Sequence, residues 1–415
     1  MNRRANSRRR LLAGAAGAGA LSVLGGIRRG LAAPVGGTAE LGFAELPDGT
    51  LEEQHLFALP GKVPLIKKTY RPPNFETPLE YFRTQITPNN AFFVRYHLAA
   101  IPEVKAAEWS LAVGGDSAER ELRFTLAQLR KELKPAEVTA VCQCSGNRRG
   151  LFEPHVPGVE WGVGAMGNAL WRGVRLKDVL ERAGVKAGAL EVAFDGADHA
   201  PIEKTPDFVK SLPLEVAMDD NTLVAFEMNG EPLPHWNGFP ARLVVPGWTG
   251  TYWVKQLISA KIISQPEKNF WMSTAYRLPR GLFKTPSFES QVTAANEPIT
   301  TMVVNSLVTS LRDGQRVPRG KPLDVKGLAW DGGAGIERVE VSTDGAAWHA
   351  ATLGRYLGRY SFREFRLALP AREPGGMNVM ARATSRSGET QAERLIFNPA
   401  GYHHNVIQRL YVEVV

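Results

Sequence analysis

The chain has only two cysteines, Cys142 and Cys144, in the stretch Val141-Cys142-Gln143-Cys144-Ser145-Gly146-Asn147-Arg148-Arg149-Gly150. One residue separates them, and that pair closes off most ways of stapling a polypeptide. It rules out a disulfide framework, a four-cysteine zinc site and an iron–sulfur cluster. No Cys-x-x-Cys-His follows, so covalent c-type haem is excluded too. The fold must therefore be held by buried apolar surface. With 415 residues, 44% of them hydrophobic, there is enough for two ordinary domains.

Residues two apart on a strand share a face, so a strand over 137–144 would point both thiols the same way. Four readings then stand. A disulfide would close a very tight, strained ring. A nucleophile would need a base, with His97, His155, His199 and His235 as candidates, and no cysteine-protease signature surrounds either thiol. Two buried structural cysteines need no further partner. The last is a single thiolate at a strand end, completing the coordination of a metal carried on an organic cofactor. Ser145-Gly146-Asn147 would let the backbone approach such a ligand, and Arg148 and Arg149 would add positive charge beside the thiolate.

The formal charge of +8 sits almost wholly in the first 33 residues, which hold seven arginines and no acid. The remainder is close to neutral and carries no basic stripe interleaved with aromatics, which argues against a nucleic-acid partner. Residues 1–33 have a basic start, a short apolar run over Leu11–Ile27 and small residues up to Ala33. That layout predicts a cleaved signal, and Ser7-Arg8-Arg9-Arg10-Leu11-Leu12 predicts the twin-arginine route and a periplasmic location. The run falls short of the ~20 apolar residues a spanning helix needs, so no membrane span is expected in the mature chain.

Residues 34–75 read as an irregular lead-in. Beyond them, helices are expected over Leu126–Leu133, with Thr125 as N-cap, and over Leu176–Ala183. Strands are expected over Glu137–Val141, Leu190–Phe194, Leu223–Glu227 and Ala241–Val245, which makes this region α+β. After about Glu297 helical patterning fades. Pro322–Leu328, Ile336–Ser342, Trp348–Leu353 and Met377–Ala383 read as short strands, with Asp344-Gly345 as a hairpin turn. The expected division is a catalytic domain over 34–290 and an all-β, immunoglobulin-like sandwich over 291–415.

Cys144-Ser145-Gly146-Asn147-Arg148-Arg149 resembles the Cys-(Ala/Ser)-Gly-Asn-Arg-Arg segment of the sulfite oxidase family of molybdopterin enzymes. Phe92-Phe93-Val94-Arg95-Tyr96-His97 is similar to that family's Phe-Phe-x-Arg-x-His. Similar too are the segment over 159–176 containing Trp161 and Trp171, Phe194-Asp195-Gly196-Ala197-Asp198, the run over 225–234, Gly238-Phe239-Pro240-Ala241-Arg242 and Trp253-Val254-Lys255. The resemblance implies a sulfite-oxidase-type molybdopterin domain followed by a dimer-forming β domain. It implies Cys144 as the molybdenum ligand. It implies cofactor contacts from Phe93, Val94, Arg95, Tyr96, His97, Asp198, Asn237, Arg242, Trp253, Val254 and Lys255. Asn237 stands where many relatives have His.

It further implies catalytic roles for Arg95, His97 and Tyr276, and for Arg363 of the second domain, with Arg366 as the competing alignment. Two arginines suit a small oxyanion, since planar guanidinium forks bind it bidentately and stay charged. The activity implied is oxidation of sulfite to sulfate at a mononuclear molybdenum–molybdopterin centre. Electrons would pass to a c-type cytochrome, either a bound haem subunit or a diffusing partner, because no haem is expected in this chain. The competing expectation is a periplasmic molybdenum reductase of sulfoxides or another oxyanion.

Overall fold

The computed structural model describes residues 56–284, 286, 288 and 293–415. The signal-like segment over 1–33 lies outside these residues. No helix among them is long and apolar enough to cross a membrane.

Leu56–Ala58, Pro64–Thr69, Asn74–Glu76 and Val94–Arg95 form an antiparallel sheet in that order. From Leu56 onward, then, the expected irregular lead-in is replaced by short strands. Its prolines fall largely at strand starts and in the turns, where a missing N–H is tolerated, so they punctuate the strands instead of abolishing them. The strand Pro135–Gln143 pairs along its full length with Met166–Arg175, which pairs in turn with Leu223–Met228. A second sheet runs in the order Val209–Pro213, Glu191–Gly196, Leu257–Ile263, Ser110–Gly114, Leu122–Thr125. Inward residues of the two sheets, among them Ala140, Trp171, Val224, Leu111, Phe194 and Ile262, share one core with both expected helices.

Those helices form for local reasons. Thr125 and Gln128 make a reciprocal capping box before Leu126–Glu132. Leu176, Val179, Leu180 and Ala183 recur at helical spacing along Leu176–Ala183 and are all buried. The β-rich C-terminal part is a two-sheet sandwich. One sheet runs Asn305–Val308, Leu323–Trp330, Arg363–Leu369, Thr352–Leu353. The other runs Gln315–Val317, Gln408–Val414, Gly375–Ser385, Ile336–Ser342, His349–Ala350. Val325, Phe365, Val339, Val341, Ala381 and Val412 fill the space between them.

The sandwich is locked to the first part beside the cysteine strand. Trp330 Nε1 donates to Gln143 Oε1 (2.7 Å), and Val141 N donates to Tyr360 O (2.9 Å). Val141 and Met166 share a core with Leu307, Leu328, Trp330 and Phe362.

Candidate active site

The strand Pro135–Gln143 ends one residue before Cys144. Cys144 N donates to Ala165 O (2.9 Å), and Asn147 N turns back to Cys144 O (2.9 Å). Asn147 Oδ1 braces this turn by accepting from Ala165 N (3.0 Å). Both thiols are free and buried, and both face one cleft. The disulfide reading is thereby set aside. The cleft encloses about 530 Å³ of space not filled by atoms, part of it open to solvent.

Around it lie Phe93, Arg95, His97, Cys144, Asn237, Arg242, Trp253, Lys255 and Tyr276. Strand alternation explains part of the set. Phe93, Arg95 and His97 point to the cleft, while Val94 and Tyr96 point into a core with Phe57, Leu65 and Phe75. Val94, Tyr96 and Val254 therefore do not line the cleft as expected of cofactor contacts. Tyr96 acts one layer back, its ring lying 4.2 Å from Lys255 Nζ. Asp198 also stands off the cleft, its Oδ1 beside Gly196, with its pKa raised by burial. Asn237 borders the cleft, but its Oδ1 accepts from Lys62 Nζ (2.6 Å) and its Nδ2 donates to Phe93 O (3.1 Å).

The electrostatics are one-sided. Among the described residues, no carboxylate forms an ion pair with Arg95, Arg242 or Lys255, although all three border the cleft. Arg242 is 4% exposed; it donates to Asn237 O (2.9 Å) and Trp253 O (3.0 Å) and packs over the Trp171 ring (5.1 Å). Burial, with Arg242 next in effect, brings the Lys255 ammonium down to about 7. Buried unpaired cations are costly unless a ligand compensates them.

Arg95 Nη2 donates to Tyr276 Oη (3.5 Å), and Tyr276 Oη shares a short hydrogen bond with His97 Nε2. His97 stacks on Phe208 (3.7 Å between centroids) and meets Trp271 edge-on. Burial, then Arg95, Lys255 and Lys210, hold its pKa well below the usual histidine value, so it is neutral at working pH. Tyr276 sits at φ 57, a left-handed conformation that a tyrosine rarely adopts.

Arg363 does not reach the cleft. Its strand registers Arg363 opposite Ala329, and the guanidinium lies over Tyr356 (5.5 Å), with Nη1 buried and unpartnered. The competing Arg366 is paired with Asp324 (2.6 Å). Arg148 does not stand beside the thiolate either: its guanidinium turns to Asn305 and Ser306 of the sandwich.

The second part of the chain supplies Tyr402 instead. Its ring stacks on Tyr276 (5.7 Å), and the Arg149 guanidinium lies over it (4.9 Å). Gly146 makes room, since a Cβ there would collide with the Arg149 guanidinium. Arg149 was legible as part of the motif; Tyr402 and Phe208 carried no local signal.

The donor set fits a molybdopterin. Cys144 offers one soft thiolate. Ser145 Oγ and Arg242 Nε are buried, belong to residues bordering the cleft and have no hydrogen-bond partner among the described residues. With the uncompensated Arg242 and Lys255, they are groups that an anionic, hydrogen-bonding ligand would satisfy. The fold and this site together define an oxidoreductase built around a molybdenum–molybdopterin cofactor.

Comparison with known proteins gives the family. Residues 97–271 match the oxidoreductase molybdopterin binding domain, and residues 296–415 match the Mo-co oxidoreductase dimerisation domain. The chain is 35% identical over 378 residues to mitochondrial sulfite oxidase of Homo sapiens, covering 86% of this chain and 67% of that one. It is 32% identical over 381 residues to the nitrate reductase of Hordeum vulgare, covering 84% of this chain and 42% of that one. The crystal structure of the sulfane dehydrogenase SoxCD from Paracoccus pantotrophus superposes with a TM-score of 0.70 at 28% identity, over 85% of this chain and 87% of that one. The chain belongs to the sulfite oxidase family of molybdopterin enzymes. It spans about two-thirds of the length of the mitochondrial sulfite oxidases it matches, 65% in Rattus norvegicus.

Proposed function

We propose that this chain oxidises sulfite to sulfate and passes the electrons, one at a time, to a c-type cytochrome. The observation that carries the reading is the cleft itself, where Cys144 and Tyr276 meet the buried Arg242 and the half-buried Arg95 and Lys255, none of them ion-paired with a carboxylate among the described residues. Such a site favours a small oxyanion over a neutral sulfoxide. The likeness to sulfite oxidases and to a sulfane dehydrogenase supports a sulfur substrate. Work in the periplasm after twin-arginine export, and a homodimer formed through residues 296–415, belong to the same proposal. The arginine-rich start and the match to a dimerisation domain support them.

When bound, the molybdenum cofactor supplies the two-electron oxidation. Cys144 would hold the metal, and Arg242 and Lys255 the anionic part of the cofactor. Arg95 would bind the oxyanion, and Arg149, behind Tyr402, would add positive charge that helps to neutralise it. Tyr276 Oη accepts from Arg95 and so presents its proton to the neutral His97 Nε2, a pair able to hold or move one proton at the cleft. Phe208 and Trp271 shield that pair from water.

The test uses cofactor-loaded protein from the periplasm. Sulfite is added with ferricyanide, then with a c-type cytochrome, and nitrate and dimethyl sulfoxide are offered with a reduced dye. Sulfite-dependent reduction lost in Cys144→Ser is the expected result. Turnover of nitrate or the sulfoxide, without sulfite oxidation, would replace this reading with a reductase, the direction that the likeness to nitrate reductases favours.

A further inference from the structure

Lys210 is 1% exposed on the strand Val209–Pro213, yet nothing in the chemistry above uses it. Its ammonium makes one hydrogen bond, to Trp271 O (2.7 Å). The rest of its surroundings are ring faces: Tyr252 at 4.5 Å and Tyr276 at 5.4 Å. No carboxylate forms an ion pair with it among the described residues, and Glu191 Oε2 on the adjoining strand accepts from Ser211 Oγ (2.5 Å). The other buried lysine away from the cleft wall, Lys62, has three oxygen acceptors. Lys210 is thus a buried cation with a single oxygen acceptor, held against the back of the ring whose hydroxyl enters the cleft.

Two consequences follow. No carboxylate forms a close ion pair with this charge among the described residues, so its field reaches through Tyr276 into the site. Its one anchor, the Trp271 carbonyl, belongs to the short helix Phe270–Ser273 whose indole packs on His97 and Phe208. Burial, reinforced by Arg277 and partly offset by Glu191, draws the ammonium down to about 7. A chain that retained Lys210 for stability alone would do better with an apolar side chain here.

We propose that Lys210 is a positioning residue of the oxyanion site: it braces Tyr276 from behind and supplies positive charge that the bound anion neutralises. This rests on the sulfite reading above and extends it to a residue outside the cleft lining.

Cofactor-loaded wild type, Lys210→Met and Lys210→Arg would be compared in three measurements: KM and kcat for sulfite, sulfate binding by calorimetry to the oxidised protein, and the melting temperature. Lys210→Met is expected to raise KM and weaken sulfate binding about tenfold, with a smaller change in kcat. It is expected to melt no lower than wild type. Lys210→Arg is expected to recover sulfate binding to within about threefold of wild type. Unchanged sulfate binding in Lys210→Met overturns the inference, as does an Arg variant as impaired as the Met variant. A Met variant that loses molybdenum or melts lower shows Lys210 to be a packing element and also overturns it. Failure of the parent reading looks different, because wild type itself would then neither oxidise sulfite nor bind sulfate.

Discussion

Arg148 donates to Asn305 Oδ1 (2.8 Å) and Ser306 O (2.7 Å), tying the loop that carries Cys144 to the first strand of the sandwich. The guanidinium is 2% exposed and has no acidic partner; burial alone draws its pKa down to about 10. Its backbone at φ 69 is the turn that sends the side chain across. Arg148→Ala leaves buried acceptors unmet and a cavity between the two parts. A loss of about 3 kcal/mol is expected in chemical denaturation. Denaturation curves unchanged from wild type would show that the link contributes nothing.

The two thiols are expected to behave differently although both face the cleft. Cys144 lies at the turn that Asn147 braces, whereas Cys142 lies inside the strand opposite Gly167, its sulfur 4.0 Å from Arg242 Nη2. Cys144→Ser is expected to cut turnover by about 100-fold or more, because the soft donor on the metal is gone. Cys142→Ser should retain its molybdenum and most of its turnover. Metal analysis alongside rates checks both, and equal loss in the two variants would exchange their roles or share them.

How much of this was legible in the sequence depended on how local each signal was. The helix Leu176–Ala183 and the strand Ile336–Ser342 occur as the periodicity predicts, and Thr125 caps its helix, because near neighbours decide those features. Motif spacing brought Arg95, Cys144, Arg242, Lys255 and Tyr276 to one cleft. Motif spacing did not distinguish the two faces of a strand, so Val94 and Tyr96 were grouped with Phe93 and Arg95 although they point into the core. Tyr402 and Lys210 meet Tyr276 through long-range packing and leave no local pattern. Arg363 was misplaced because the registry of a sandwich strand is set by its neighbours, here Ala329 across the ladder.

The arginines give a direct comparison. Arg149 lies over Tyr402, which stacks on Tyr276, while Arg363 lies over Tyr356. Arg149→Met is expected to raise KM for sulfite by about tenfold or more, by removing a buried cation from the oxyanion site. Arg363→Met should leave KM within about threefold of wild type. Steady-state kinetics on both variants checks the assignment, and the reverse pattern would restore Arg363 to the site.

His403 makes acid stability the last test. It is 3% exposed, both ring nitrogens lack a partner, and burial holds its pKa at about 4 against an ordinary 6.5. Between those values the unfolded chain binds a proton that the folded chain refuses. The contribution is therefore complete above pH 6.5 and is lost as pH falls towards 4, by up to about 3 kcal/mol. Buried carboxylates such as Glu76, raised by desolvation, act in the opposite sense, so the comparison has to be made between wild type and a variant. His403→Asn suits the left-handed backbone at φ 55 and cannot titrate. Urea denaturation at pH 7 and pH 4.5 is expected to show a smaller acid loss in the variant than in wild type. Parallel losses in both proteins would mean that the His403 pKa is the same in the folded and unfolded chain.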